Sequence, residues 1–295
     1  MLAIKRFLSS DHVKPLAKAT QIHYQAALSA LDQFLTTKHD VHALAQESVE
    51  LMPFYAEYLV KEKGLTEATV SQYITIAKLL FRHNGLKFNY IFRKSSFGKK
   101  QKQRKSINRW FSEEEIKKCL AYNFPGPGQT DKKRLRNKIM IRLLIETGAR
   151  IREVADIEWT HIDTNNRIIH LKDSKTQMRP IFYSEETGML IDEYRRMFPV
   201  KLMFKSEFPL FPGIDSCKKT VCQMLEDLKI KKPKDGRGPH TFRHYAATCL
   251  YFVRGMNLND LAFMLGDKPE TIRNHYLHPT PEMMQMKVKD AYGWN

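Results

Sequence analysis

Apolar positions recur at helical spacing through the first ninety residues. Over 19–35, Ile22, Tyr24, Ala27, Leu28, Leu31 and Phe34 fall at the three-to-four-residue period that lines one side of an α-helix. Residues 47–61 and 66–83 repeat that period. Gly64 closes the first of these, and Thr66, followed by Thr69 and Val70, opens the second. Helices of this kind make a small bundle over 1–92. From Arg93 to residue 109 the apolar period disappears, and 93–109 reads as a linker. It returns over 110–295. Ser112 followed three residues later by Glu115 is a capping-box signature ahead of Ile116 and Leu120, and 132–147 carries Ile139, Met140, Leu143 and Leu144 on one side. β-branched and aromatic runs over 167–171 and 178–183, separated by a polar turn, predict a hairpin. Helical patterns return over 220–228, 242–254 and 259–265, and 281–292 opens on a proline with partly helical spacing. The predicted class is mainly α with a small antiparallel β-sheet, as a helical domain, a linker and an α+β domain.

Composition narrows the partners. With 295 residues and 42% hydrophobic content the chain is long enough for two cores. No apolar run approaches the ~18–20 residues that cross a bilayer, and the opening Met-Leu-Ala-Ile-Lys-Arg lacks a signal-peptide core, so an intracellular, cytoplasmic protein without membrane partners is expected. Lys and Arg total 49 against 32 acidic residues, a net charge of +17, which draws the chain towards polyanions. The linker, with Arg93, Lys94, Lys99, Lys100, Lys102, Arg104 and Lys105, either lies along a phosphate backbone or is a solvated tether. Cys119, Cys217, Cys222 and Cys249 lack the paired spacing of a zinc site and read as free thiols. No P-loop pattern and no acidic cluster of two-metal spacing occurs, so no metal, nucleotide or other cofactor is expected.

Four short segments of the second domain carry candidate chemistry. They are Thr147-Gly148-Ala149-Arg150-Ile151-Arg152-Glu153, with Trp159 and Ile162-Asp163 behind it; Ser174-Lys175-Thr176 in the hairpin turn; His240-Thr241-Phe242-Arg243-His244; and Leu265-Gly266-Asp267, with Tyr276 nine residues after Asp267 and then His278. Singly, each has an ordinary structural alternative: Arg150 a helix-end arginine on a carboxylate, Arg243 a surface ion pair, Tyr276 a core aromatic. Two guanidiniums, which never deprotonate and fork onto phosphate oxygens, suit the extra charge of a phosphodiester transition state.

In this order and at these separations the segments resemble the tyrosine recombinases, the phage-integrase-like enzymes that cut and rejoin DNA. Residues 1–92 resemble that family's SAM-like core-binding domain. The resemblance implies that Tyr276 attacks the phosphorus to form a covalent 3′-phosphotyrosyl intermediate, that Arg150 and Arg243 hold the phosphate, that His240 accepts or orients the tyrosine proton, and that Lys175 protonates the leaving 5′-oxygen, with Lys172 a less well-placed rival. It further implies double-stranded DNA as partner, a C-shaped clamp, a homo-tetramer on synapsed DNA, a monomer or dimer when free, and a simple Xer-like layout. The tail 281–292 docks either on a neighbouring protomer or on its own domain. Same-chemistry and non-catalytic alternatives are a type IB topoisomerase-like nicking-closing enzyme and a DNA-binding protein that has lost catalysis.

One position departs from the pattern. The family has histidine or tryptophan after Leu-Gly, where the ring donates a hydrogen bond to the phosphate; here stands Asp267. An ionised carboxylate cannot donate. Lys268 supplies the donor, or His275 does, or Asp267 faces away and orients an arginine; Lys268 is preferred from the sequence. Glu153 is expected to hold the Arg150 region in place.

Overall fold

The helices of the first ninety residues are amphipathic and bury their apolar sides against one another. In the computed structural model, which describes residues 1–93, 110–172, 179–198, 209–231, 235–277, 279 and 281–292, they are α1 (Leu2–Leu8), α2 (Lys18–His39), α3 (Glu47–Glu50), α4 (Met52–Lys61) and α5 (Glu67–His83). Linker residues 94–109 and the hairpin tip 173–178, including Lys175, lie outside the described residues. The chain divides into two compact units, Met1–Gln103 and Arg104–Asn295.

In the first unit Leu28, Leu31 and Leu35 of α2, Tyr55 and Leu59 of α4 and Leu80 and Phe81 of α5 share one buried core. The buried Tyr55 hydroxyl donates to the Ala27 carbonyl at 3.1 Å, satisfying a polar group that would otherwise destabilise the core. Thr66 caps α5 as expected, its hydroxyl accepting the Thr69 N–H. Ile22 is exposed, so the buried side of α2 begins only at Ala27. The helix expected over 47–61 is two, joined at Leu51. Pro53, which lacks an N–H, sits where the first turn of α4 needs none.

The second unit is built round α7 (Asp131–Thr147), whose Ile139, Leu143 and Leu144 are fully buried. Ahead of it α6 (Glu113–Ala121) carries the expected capping box between Ser112 and Glu115. Behind it come α8 (Ile151–Ala155), β1 (Ile162–Asp163), β2 (Ile168–Leu171) and β3 (Arg179–Phe182), an antiparallel sheet in the order β1-β2-β3. Register pairs Ile169 with Ile181 and Leu171 with Arg179, so these face inward while His170 and Phe182 face out. Then follow α9 (Glu185–Arg196), α10 (Ile214–Asp227), α11 (Pro239–Thr248), a π-helical turn (Cys249–Val253), α12 (Leu258–Leu265), α13 (Pro269–His275) and α14 (Pro281–Tyr292). The helix expected over 242–254 therefore loses its α register at Cys249; just before that point the Thr248 hydroxyl donates to the Tyr276 carbonyl at 3.0 Å. The tail contacts its own chain: the Lys287 ammonium lies 5.1 Å from the Phe252 ring centre. Among the described residues no helix is long and apolar enough to cross a membrane.

Candidate active site

The Thr-Gly-x-Arg-x-x-Glu segment makes one tight junction. Helix α7 ends on Gly148 in the left-handed region, φ +63°. A Cβ there would meet Leu265 Cδ2 at 2.8 Å and Ala246 Cβ at 3.0 Å, so only glycine lets the end of α7 abut α11 and α12. The Thr147 hydroxyl donates to the Leu143 carbonyl at 2.6 Å and accepts the Ala149 N–H at 3.1 Å, tying off the helix end. Arg150 is the extended N-cap of α8, and Glu153, three residues on, accepts both its backbone N–H (2.6 Å) and its Nη1 (2.8 Å). The spacing of Arg150 and Glu153 is thus a cap plus an ion pair. The Arg150 side chain remains about one-third exposed and sends Nη2 to the Gly266 carbonyl (3.3 Å) and to Asp267 Oδ1 (2.6 Å).

Arg243 comes from α11, whose first turn is closed by the Thr241 hydroxyl accepting the Gly238 N–H. The arginine is 1% exposed, which rules out the surface ion pair considered for it. Its Nη1 donates to the Gly148 carbonyl (2.9 Å), its Nη2 to the Leu265 carbonyl (2.7 Å) and Asp267 Oδ2 (2.5 Å), and its buried Nε–H has no partner among the described residues. Asp267 therefore lies between the two arginines, one oxygen on each. Of the three alternatives raised for this position, the pairing of Asp267 with an arginine is the geometry present, and it involves both arginines. Lys268 is the exposed residue preceding α13, and His275, at the end of that helix, is also exposed.

Tyr276 follows α13 directly. Its ring centre is 4.9 Å from that of His244, and the Arg243 guanidinium carbon stands 5.0 Å above the ring. Among the described residues none hydrogen-bonds its phenol. His240 is exposed at the second position of α11, and its pKa is lowered: loss of solvent round the ring comes first, then the positive charges of Arg243 and Arg150, against the weaker pull of Asp267 and Glu153. It is neutral at pH 7 and free to accept a proton. Burial opposes the charge on Arg150, yet Glu153, Asp267 and Tyr276 hold its pKa above the ordinary arginine value. Burial likewise works against the Glu153 carboxylate, but Arg179 and the bonds from Arg150 keep its pKa low. Lys172 reaches Glu158 at 3.1 Å instead of this cluster.

Arg179 was not anticipated. It is 4% exposed, donates Nη2 to Glu153 at 2.6 Å and Nη1 to the Met264 carbonyl, and belongs to the same cluster. The signal for it was an arginine two residues before Ile181 on an alternating strand, hence inward-facing. Arg150, Arg179 and Arg243 face Glu153 and Asp267, leaving one unbalanced positive charge beside the buried Nε–H of Arg243.

Residues 109–283 match the profile described as the phage integrase family. The chain belongs to that family. Among its integrase and recombinase relatives, tyrosine recombinase XerA of Saccharolobus solfataricus is 33% identical over 147 residues, covering 50% of this chain and 47% of the relative. XerC of Pediococcus pentosaceus is 23% identical over 298 residues, covering 98% and 96%. The match thus spans about half of the first relative, and 64% of XerC of Staphylococcus epidermidis. Among solved structures, XerH site-specific recombinase bound to palindromic difH substrate in a post-cleavage complex superposes with a TM-score of 0.70 at 19% identity, over 95% of this chain and 82% of that one. The Tn1549 transposon integrase with circular intermediate DNA gives 0.69 at 18% identity over 98% of both. At such identities these structures establish the phage integrase fold, mostly helical with a three-stranded antiparallel sheet.

Proposed function

We propose that this chain is a DNA strand-cleaving and rejoining enzyme, a site-specific recombinase of the Xer type, with Tyr276 as nucleophile. The observation that carries the reading is the convergence of Arg150 and Arg243 on one anionic group, with the Tyr276 ring against the second of them. Guanidiniums so placed stabilise the negative charge that builds on the non-bridging oxygens as phosphorus becomes five-coordinate. The Tyr276 oxygen bonds to phosphorus while the phosphorus–O5′ bond breaks. The phenol proton passes to neutral His240 and the leaving 5′-oxygen takes one from Lys175. The 3′-phosphotyrosyl bond conserves the energy of the phosphodiester, so a 5′-hydroxyl rejoins the strand by the reverse path. In this reading domain 1–92 and linker 93–109 hold double-stranded DNA, and protomers assemble as a tetramer on the synapsed sites.

The test is a duplex with a nick just beyond the scissile phosphate, from which the cleaved fragment diffuses away. A covalent adduct whose mass maps to the peptide bearing Tyr276 is the expected result; absence of any adduct removes the enzymatic reading. Asp267 between the arginines favours one alternative, a DNA-binding protein without catalysis, and the same assay decides it.

Two further outcomes follow from the site. Because the pKa of His240 is lowered, the base form persists as pH falls through the ordinary histidine value of ~6.5. Single-turnover cleavage should therefore be flat from neutral pH to below that value and decline only beyond it; a midpoint above it removes His240 as proton acceptor. Replacing Asp267 with histidine removes a carboxylate and returns a ring donor, so cleavage of the nicked duplex should be unchanged or faster. A collapse of cleavage in Asp267→His would give the aspartate a required role.

A further inference from the structure

The cluster of Arg150, Arg243, Glu153 and Asp267 rests on one more buried charge. Arg179 opens β3, directly after the hairpin segment that includes Lys175, and its side chain packs against Gly266: a Cβ on that glycine would come within 2.5 Å of Arg179 Nε. Gly266 itself holds φ +67°, so the backbone there is shaped to admit the guanidinium. From this position Arg179 touches both supports of Arg150. One is Glu153, whose Oε2 accepts Arg179 Nη2 and the Arg150 backbone N–H at 2.6 Å each, while its Oε1 holds Arg150 Nη1. The other is the segment 264–266, where Arg179 takes the Met264 carbonyl and Arg150 the Gly266 carbonyl, one residue before Asp267.

The arginine sits there against an opposing field. Burial and the positive charges of Arg243 and Arg150 lower its pKa, Glu153 offsets them only in part, and its buried Nε–H has no partner among the described residues. An apolar residue would fill the space without those costs. What it would lack is a rigid fork that grips a carboxylate and a carbonyl at once.

We infer that Arg179 is a positioning residue for phosphate activation: it locks Glu153 and the 264–266 segment so that Arg150 is aimed at the scissile phosphate. This rests on the strand-cleavage reading above.

The experiment compares wild type with Arg179→Met and Arg179→Lys on the nicked duplex, made once with the natural scissile phosphate and once with a neutral methylphosphonate there. The neutral group develops less negative charge in the transition state and depends less on a correctly aimed Arg150. On the natural phosphate Arg179→Met should lower the adduct-forming rate by about 10²-fold, the scale of a lost transition-state donor. On the methylphosphonate it should run at a rate comparable to wild type, and Arg179→Lys should fall between on the phosphate. DNA affinity should be unchanged. If Arg179→Met fails to fold, Gly266→Ala takes its place, since it displaces the guanidinium without removing its charge and should give the same substrate-dependent loss. Equal losses on both substrates, or none on the phosphate, overturn the role of Arg179. Wild type that forms no adduct on either substrate overturns the strand-cleavage reading and this inference with it.

Discussion

Tyr276→Phe is expected to form no covalent adduct on the nicked duplex while binding that duplex as wild type does. The substitution deletes one oxygen and keeps the ring that packs against His244 and lies under the Arg243 guanidinium. The phenol takes no hydrogen bond from the described residues, and the Tyr276 backbone contacts to Ile272 and Thr248 do not involve the side chain. Stability should therefore hold. Loss of a nucleophile that works with a proton acceptor and two charge stabilisers is on the order of 10⁶-fold in rate, which in a gel assay is complete. Residual adduct in the phenylalanine variant would move the nucleophile elsewhere, and mapping the labelled peptide would locate it.

Arg243→Lys should lower adduct formation by about 10³-fold even though the charge is retained. Arg243 spends its donors on three directions at once, the Gly148 carbonyl, the Leu265 carbonyl and Asp267. A lysine ammonium on a shorter, tetrahedral head cannot span them in one plane. The damage extends to the fold, because the Gly148 and Leu265 carbonyls lose buried donors, at ~1–3 kcal/mol for each group left unsatisfied, of a total that is only ~5–15 kcal/mol in ordinary domains. Thermal unfolding should show a lowered midpoint alongside the kinetic loss. Arg150→Lys, at a site about one-third exposed, should show a comparable rate loss with a smaller change in midpoint. Equal midpoints for the two variants would mean that the burial of Arg243 carries no structural weight.

Periodicity located most of the helices and the hairpin, since burial on one side of an element is what periodicity records. It missed α1, α8, α9 and α13. Helices α1, α8 and α13 are seven, five and seven residues long, too short for a period to repeat, and in α9 the apolar residues Met189, Leu190 and Ile191 are consecutive, so the run has no helical period although only Ile191 and Tyr194 of its apolar residues are buried. In the site, Arg150, Glu153, Arg243, Asp267 and Tyr276 were all legible as residues, and the structure brings them together. What the chain could not disclose was direction. Lys268 looked like the substitute donor because it is a cation beside Asp267, but which way a side chain turns from the end of α12 depends on the left-handed Gly266 and on what fills the space beneath it. Arg179 escaped for a related reason: an inward-facing arginine at a strand end is equally a snorkelling surface residue until its partners are known.

The carboxylate between Arg150 and Arg243 also bears on ionic strength. Lysines and arginines exposed to solvent gather mobile anions, and a polyanion that displaces them gains the entropy of releasing small ions, which is why such binding weakens steeply with salt. The two arginines of this cluster carry a counter-ion that is covalently part of the chain. In the proposed reaction a phosphate entering there would exchange with Asp267 and release no ion into solution, so the salt dependence of DNA binding is expected to arise elsewhere. That dependence is left to the other cations of a chain whose net charge is +17.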